Sequence, residues 1–355
     1  MTKTRYFFNI CILRFLPVVL ILLSQRSFVS AQTAPQWVNN KAAAFPDAQW
    51  ICVVESGRDR NAAQGAAMNA LAQVFKVDVQ AMTNTAQSFA RVVSSSGDKK
   101  IAAFTENKAF AQDVTASSNV SGLIGVQSDY WTASDGTVYV NARMNRRECA
   151  ARYSAMIGEN DKVIGLLKQE AERSPASFDA FESLSFALNV AELTDNFQTL
   201  LEVLDASAAS KRPAYGNANT VRTLAQNAAR SIVITIQVDG DVNSRISKAL
   251  AAYFTRKGFR TNISGSNSYL LSAALELEDV DSANRNKFVR YLLTASIANN
   301  EGREVFSYSG NGREGHASVS EARQRVLRVV EASIGSTESR GFAAEFDAYL
   351  ESLLK

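Results

Sequence analysis

A chain of 355 residues with 38 Lys and Arg against 35 Asp and Glu is close to neutral and long enough for two domains. Its small basic surplus sits in the first 31 residues, where Lys3, Arg5, Arg14 and Arg26 have no acidic counterpart. Beyond Ala31 there are 34 basic and 35 acidic groups, which excludes a polyanion such as nucleic acid as the expected partner.

That first stretch reads as an export signal. A positive start precedes the apolar core Phe15–Leu23, and the small residues Val29-Ser30-Ala31 stand before Gln32, which places cleavage after Ala31. The apolar core is shorter than the roughly 20 residues that a transmembrane helix needs. The mature protein is therefore expected to be periplasmic or otherwise exported, with no integral membrane span. Two cysteines remain in it, Cys52 and Cys149. They are either a bridge closing a loop of roughly 100 residues, worth about 4–5 kcal/mol in the chain-entropy model, or two small buried hydrophobes.

Pro35-Gln36-Trp37 reads as an extended lead-in, and Trp50–Glu55 (WICVVE) as a strand ending at Ser56-Gly57. Asp59 is placed to cap a helix whose stripe is Ala63, Ala67, Ala70, Leu71 and Val74. Val77–Arg91 and Thr105–Ser118 alternate like strands around a turn at Ser94–Asp98. Asp135-Gly136 is a hairpin signal before Thr137–Met144, with Val138, Val140, Ala142 and Met144 on one face.

The Pro35-x-Trp37 start, the early strand, the Ala-rich helix and the run "DYWTASDGTVYVNARMNRRE" with Arg143 and Arg146 resemble the LPP20 family of bacterial envelope lipoproteins over residues 35–155. The resemblance implies a cell-envelope protein, of a kind tied to flagellar or outer-membrane assemblies, with no established catalytic residues. The chain departs from the lipoprotein pattern at Gln32, where a lipidated cysteine would stand.

From Glu148 the period becomes helical. Tyr153, Met156 and Ile157 open a run with a break expected near Gly158; Val163, Leu166, Leu167 and Ala171 continue it to Pro175. Phe178, Phe181, Leu184 and Leu188 make one stripe and Phe197, Leu200, Leu201 and Leu204 another, which predicts two or three antiparallel helices. A connector over 206–229 carries one short helix near Thr220–Ala228.

Ser231–Val238 (SIVITIQV) is the clearest strand, and Asn243 or Ser244 can cap a helix with Ile246, Ala249, Leu250, Tyr253 and Phe254 inside. Gly258 with Phe259 ends it. Tyr269–Glu278 and Phe288–Ala298 alternate, and Val305–Ser309 returns after a tight turn. Two helices close the chain, burying Val319, Ala322, Val326 and Val329 and then Phe342, Phe346, Tyr349, Leu350 and Leu353. This order resembles the small domains of periplasmic assembly factors such as the amino-terminal domain of TolB-like proteins, in topology alone, which does not establish function.

Candidate chemistry is sparse. Gly310-x-Gly312-x-x-Gly315 matches a dinucleotide fingerprint but leads into no parallel strand with a ribose-binding acid, so it reads as a turn between strand and helix. Asp239–Asn243 imitates a calcium loop without its glycine or its final glutamate, Ser244 and Leu250 standing at those positions. Glu276 and Glu278 share a strand face expected to meet solvent, and Arg323, Arg325 and Arg328 are offset by Glu321 and Glu331. Arg313, Glu314 and His316 form a polar cluster that is either a contact site for a partner or a solvated turn.

The expected fold class is α+β: two small mixed sheet domains joined by a helical segment, with boundaries at 35–155, 156–228 and 229–355. No catalytic residue, metal site or cofactor is expected. The expected function is that of a non-catalytic envelope accessory, assembly or scaffold factor binding envelope proteins or cell wall. The alternatives are an envelope hydrolase acting on peptidoglycan or peptides, and a small lipid or glycan carrier.

Overall fold

The computed structural model describes residues 33–76, 87, 123–265, 267–280, 286–336 and 341–354. The expected leader, and apart from residue 87 the strands expected over 77–91 and 105–118 with their turn, lie outside the described residues. The fold is α+β, and the described residues form two sheets.

The start is not extended. Gln36–Asn39 (α1) and Lys41–Ala44 (α2) are single helical turns. Trp37 is buried, and Asn40 Oδ1 accepts from Ala43 N–H at 3.1 Å, so ring burial and an Asn cap override the extended preference. Trp50–Gly57 (β1), Gln127–Thr132 (β2) and Val138–Asn145 (β3) make an antiparallel sheet in the order β1-β3-β2. Asp135 Oδ1 takes the Thr137 N–H at 2.9 Å and Gly136 has φ +86°, which builds the β2–β3 hairpin.

Asp59 caps Arg60–Phe75 (α3) through Ala62 N–H at 2.8 Å. The buried stripe is Ala63, Ala67, Met68, Leu71, Ala72 and Phe75, while Val74 is 42% exposed. The contact face is thus turned toward Met68 and Phe75, whose bulk fills the space that alanines leave against the sheet.

Arg146–Arg173 (α4) is one helix of 28 residues, running unbroken through Gly158 and through the boundary expected at 155/156. A single glycine costs only about 1 kcal/mol in a helix, far less than α4 recovers by packing. Phe178–Leu204 (α5) is likewise one helix of 27 residues carrying both predicted stripes. They are distinct because α5 passes from one core to another. Phe178 belongs to the C-terminal core, and Phe186 to Leu204 line the core under β1–β3 together with Tyr153, Ile157 and Ile164 of α4. Asn160 Nδ2 donates to Thr194 Oγ1 at 2.9 Å inside this pair. Ala206–Ala209 (α6) and a connector follow. The Asp161 carboxylate accepts from Ala214 and Tyr215 N–H, and the Asp195 carboxylate from the Tyr215 hydroxyl and Ala218 N–H, fixing that connector to both long helices. Ala218–Ser231 (α7) leads onward.

Val233–Asp239 (β4), Arg245–Arg256 (α8), Arg260–Asn262 (β5), Tyr269–Val280 (β6), Lys287–Asn299 (β7), Glu304–His316 (β8), Val319–Gly335 (α9) and Phe342–Ser352 (α10) form the C-terminal module. Its sheet has the order β5-β4-β6-β7-β8, with β4 parallel to β5 and β6 and the rest antiparallel. Strand β5 was not expected from the sequence, since its three residues are too few to show alternation. Alternate residues of β6 and β7 (Leu271, Ala273, Leu275; Val289, Leu293, Ala295, Ile297) are buried beneath the helices, and Ser272, Glu276, Arg290 and Thr294 face solvent. In α9 the buried set is Ala322, Val326, Leu327, Val330 and Ile334, with Val329 37% exposed.

Candidate functional site: the seam of the helical hairpin

Where α4 begins and α5 ends, the chain forms an open trough of about 980 Å³ between Gln49, the first turns of α4 and the start of α6. Its rim is fixed by main-chain chemistry. Asn145 Oδ1 caps α4 through Glu148 N–H at 3.1 Å, and Asp205 Oδ1 caps α6 through Ser207 and Ala208 N–H, each at 3.0 Å. Arg146 ties the two sides together: Nε donates to Asp47 O at 2.8 Å and Nη1 to Val203 O at 2.6 Å. The floor consists of small side chains, among them Ala150, Ala151, Ser154 and Ala208, while Arg147 and Glu148 stand exposed at the mouth with one charge of each sign.

The seam continues into a cavity of about 270 Å³ that shares Ser154 and Ala208 with the trough and reaches Gly158, Gln198 and Pro213. Gln198 Nε2 donates to Ala209 O at 2.5 Å, holding the roof, and its buried Oε1 has no hydrogen-bond partner among the described residues. Trough and cavity together make an open channel along the hairpin, walled largely by small side chains and by capped helix starts. Reasoning from the sequence missed this seam, because its walls come from three separated stretches, 48–49, 145–161 and 198–213. The signal that could have found it is the run of small residues Ala150, Ala151 and Ser154, followed by Gly158, on a helix otherwise rich in long side chains.

The residues singled out from the sequence are not gathered here. Cys52 and Cys149 are both free and buried, so no bridge is formed. Cys52 stands opposite Arg143 on the sheet face away from the hairpin and donates its thiol to Asn141 Oδ1 at 2.9 Å; Cys149 packs in the core on the other face. The sheet itself separates them. Burial pushes the Cys52 thiol up to about 11, against the pull of Lys41 and Arg143, and burial also raises that of Cys149. Arg143, on the same face as Cys52, pairs with Asp129 and lies over the Phe45 and Trp50 rings, with centroids at 4.6 and 5.7 Å.

Arg313, Glu314 and His316 do not form a cluster. They lie on β8, which runs straight through the Gly-x-Gly-x-x-Gly segment, so the expected turn is a strand. Its alternation puts Arg313 on the open face, 4.6 Å above the Phe288 ring, and sends Glu314 and His316 to the helix-covered face. The glycines make room for rings: a Cβ at Gly312 would lie 2.6 Å from the Tyr291 ring, and one at Gly315 2.5 Å from Phe288. The acidic turn after β4 is also structural. Asp241, rather than Asn243 or Ser244, anchors α8, its carboxylate accepting from Ile246 N–H at 2.8 Å and Ser247 N–H at 3.0 Å.

Glu276 and Glu278 are exposed, with Arg290 3.9 Å from Glu278. Arg323 is bidentate to Asp279, and Arg325 donates to Gly315 O at 2.9 Å. Among the described residues no group of three or more His, Cys, Asp or Glu is placed to hold a metal ion, and no helix is long and apolar enough to cross a membrane.

No protein-family model matches the chain, and no curated protein matches it. Among solved structures it is similar to the secreted protein HP1454 from Helicobacter pylori, at 12% identity over 82% of this chain and 97% of that one, with a TM-score of 0.40. It is similar to a minor lipoprotein from Acinetobacter baumannii at 12% identity over 34% of this chain and 90% of the other (TM-score 0.24). It is also similar to the lipoprotein GNA1162 from Neisseria meningitidis at 13% identity over 30% and 98% (TM-score 0.20). Likeness this loose assigns no activity to the chain.

Proposed function

We propose that this chain is an exported envelope protein without catalysis, an accessory or assembly factor that holds an extended segment of an envelope protein or cell-wall strand in the α4–α5 seam. The observation that carries this reading is the trough itself: its rim is hydrogen-bonded in place, its floor is small, and its mouth is open along the hairpin. Such a preformed surface binds without first ordering loops, which lowers the entropic cost of association. The export-type leader and the LPP20-like pattern support the envelope setting. Arg146, a member of that pattern, is the side chain that ties the trough's two walls.

The test is capture from native envelopes with the full chain and with Ala151→Trp, which fills the trough from an exposed position. The expected result is a specific partner or cell-wall fragment retained by the parent and reduced at least about tenfold by the tryptophan, a loss of about 1.4 kcal/mol. Equal retention by both, or cleavage of cell-wall or peptide substrates by the purified chain, contradicts the proposal.

A further inference from the structure

A second cleft, of about 500 Å³, lies between α5, α7 and the end of α8, and it shares no lining residue with the seam. Helices α5 and α7 run antiparallel there. Arg222, near the start of α7, meets Glu192 of α5 at 2.8 Å, while the last turn of α7 lines the cleft together with Phe181 near the start of α5. The lining residues of α7 run from Arg222 to Arg230, roughly 12 Å of helix, so the cleft is a slot about two turns long.

Its walls are apolar and held in place. Phe181 and Leu188 stand along α5, and Ala225 and Ala229 along α7. The α5 wall is seated by Phe178, one turn earlier, which is fully buried, stacks on Tyr269 with centroids 3.8 Å apart and donates its N–H to the Tyr269 hydroxyl at 2.9 Å. Phe181 itself meets the Phe259 ring at 4.8 Å. The end of α8 comes close because Gly258 has no side chain: its φ is +91°, and a Cβ there would lie 3.2 Å from the Ala229 Cβ. A slot built this way needs no ordering when a ligand arrives.

The charges at its edge are of one sign. Three cations line it, Arg222, Arg230 and Lys257, and no acidic side chain does. Two are answered from outside the lining, Arg222 by Glu192 and Lys257 by Asp347, whose Oδ1 lies 2.6 Å from the lysine Nζ. Arg230, exposed in the last turn of α7, has no ion-pair partner among the described residues. An apolar slot that ends at an unanswered guanidinium complements a molecule with a linear apolar body and one anionic end. A glycan or a polar peptide would leave these walls without apolar contact.

We propose that this cleft binds a single acyl chain, with its carboxylate on Arg230 and its methylenes between Phe181, Leu188, Ala225 and Ala229. Each methylene removed from water adds affinity, and the charge-assisted pair with Arg230 sets the direction of the chain. The site is separate from the seam, and neither requires the other.

The test is calorimetric titration of the purified full chain with dodecanoate, kept below its micelle concentration. The expected result is saturable binding of one dodecanoate per chain. Dodecyltrimethylammonium, with the same tail and the opposite head, should bind at least about tenfold more weakly. Arg230→Gln should weaken dodecanoate at least about tenfold and leave dodecyltrimethylammonium no weaker, a split that a general loosening of α7 would not produce. Gln226→Trp, at an exposed position of the lining, should block dodecanoate by filling the slot. Absence of saturable binding, equal affinity for the two heads, or a parent-like affinity in either variant overturns the proposal. So does self-association, or uptake of an acidic peptide, that Gln226→Trp abolishes and dodecanoate does not compete.

Discussion

The two sheets solve the problem of a cover differently. The five-stranded sheet carries its own helices, α8, α9 and α10, on one face, and its core is a cluster of rings: Tyr253, Phe254, Phe259, Phe306, Phe342 and Phe346. The three-stranded sheet is too narrow to bury a comparable area. Its own helix α3 packs on it, and the hairpin α4–α5 completes that core, with alanines and single large residues such as Phe75 and Tyr153 at the contacts. The difference teaches dependence: the wider module is largely self-covered, and the narrower one, with α3 alone as its own helix, completes its core with helices of which one is anchored elsewhere. Helix α5 is the shared member, and Phe178 is where the sharing is concentrated.

Breaking that shared member should have the largest effect. Phe178→Ala removes a fully buried ring and is expected to cost about 3–5 kcal/mol in chemical denaturation. If the narrow module were self-sufficient, probes placed in it would report no change in midpoint; if it leans on α5, they shift with the rest. Next come two glycines of the wide module, which separate backbone crowding from ring crowding. At Gly240, φ is +71° and a Cβ would run into the Leu275 carbonyl oxygen, so Gly240→Ala should cost about 2–3 kcal/mol. Gly312→Ala meets the Tyr291 ring, which can move, and should cost about 1 kcal/mol. The smallest effect concerns the anchor of α8. Asp241→Ala should cost about 1 kcal/mol through the lost Ile246 and Ser247 hydrogen bonds, whereas Ser244→Ala, which removes no side-chain cap bond, should be near neutral in the same melts.

The wide module was the more legible of the two for the same reason that it is self-covered. Strands β6 and β7 each have one wet face, so the buried sets Leu271, Ala273, Leu275 and Val289, Leu293, Ala295, Ile297 stand out by alternation. Legibility fails where a residue serves a distant neighbour. Gly310, Gly312 and Gly315 signal a turn locally but are small for the sake of Tyr308, Tyr291 and Phe288. Helix α5 reads as two helices because its apolar face changes direction on leaving one core for the other. The seam was not legible as a site: its walls are contributed by segments tens of residues apart or more, through side chains too small to announce a role.

The most direct test of binding at the seam is a photo-crosslinking residue at position 151, compared with one at Ser272 on the exposed sheet face, in native envelopes. Binding in the trough predicts a discrete adduct from position 151 that is absent from position 272. Adducts from position 272 alone, or none from 151 in envelopes that contain the folded protein, would contradict it.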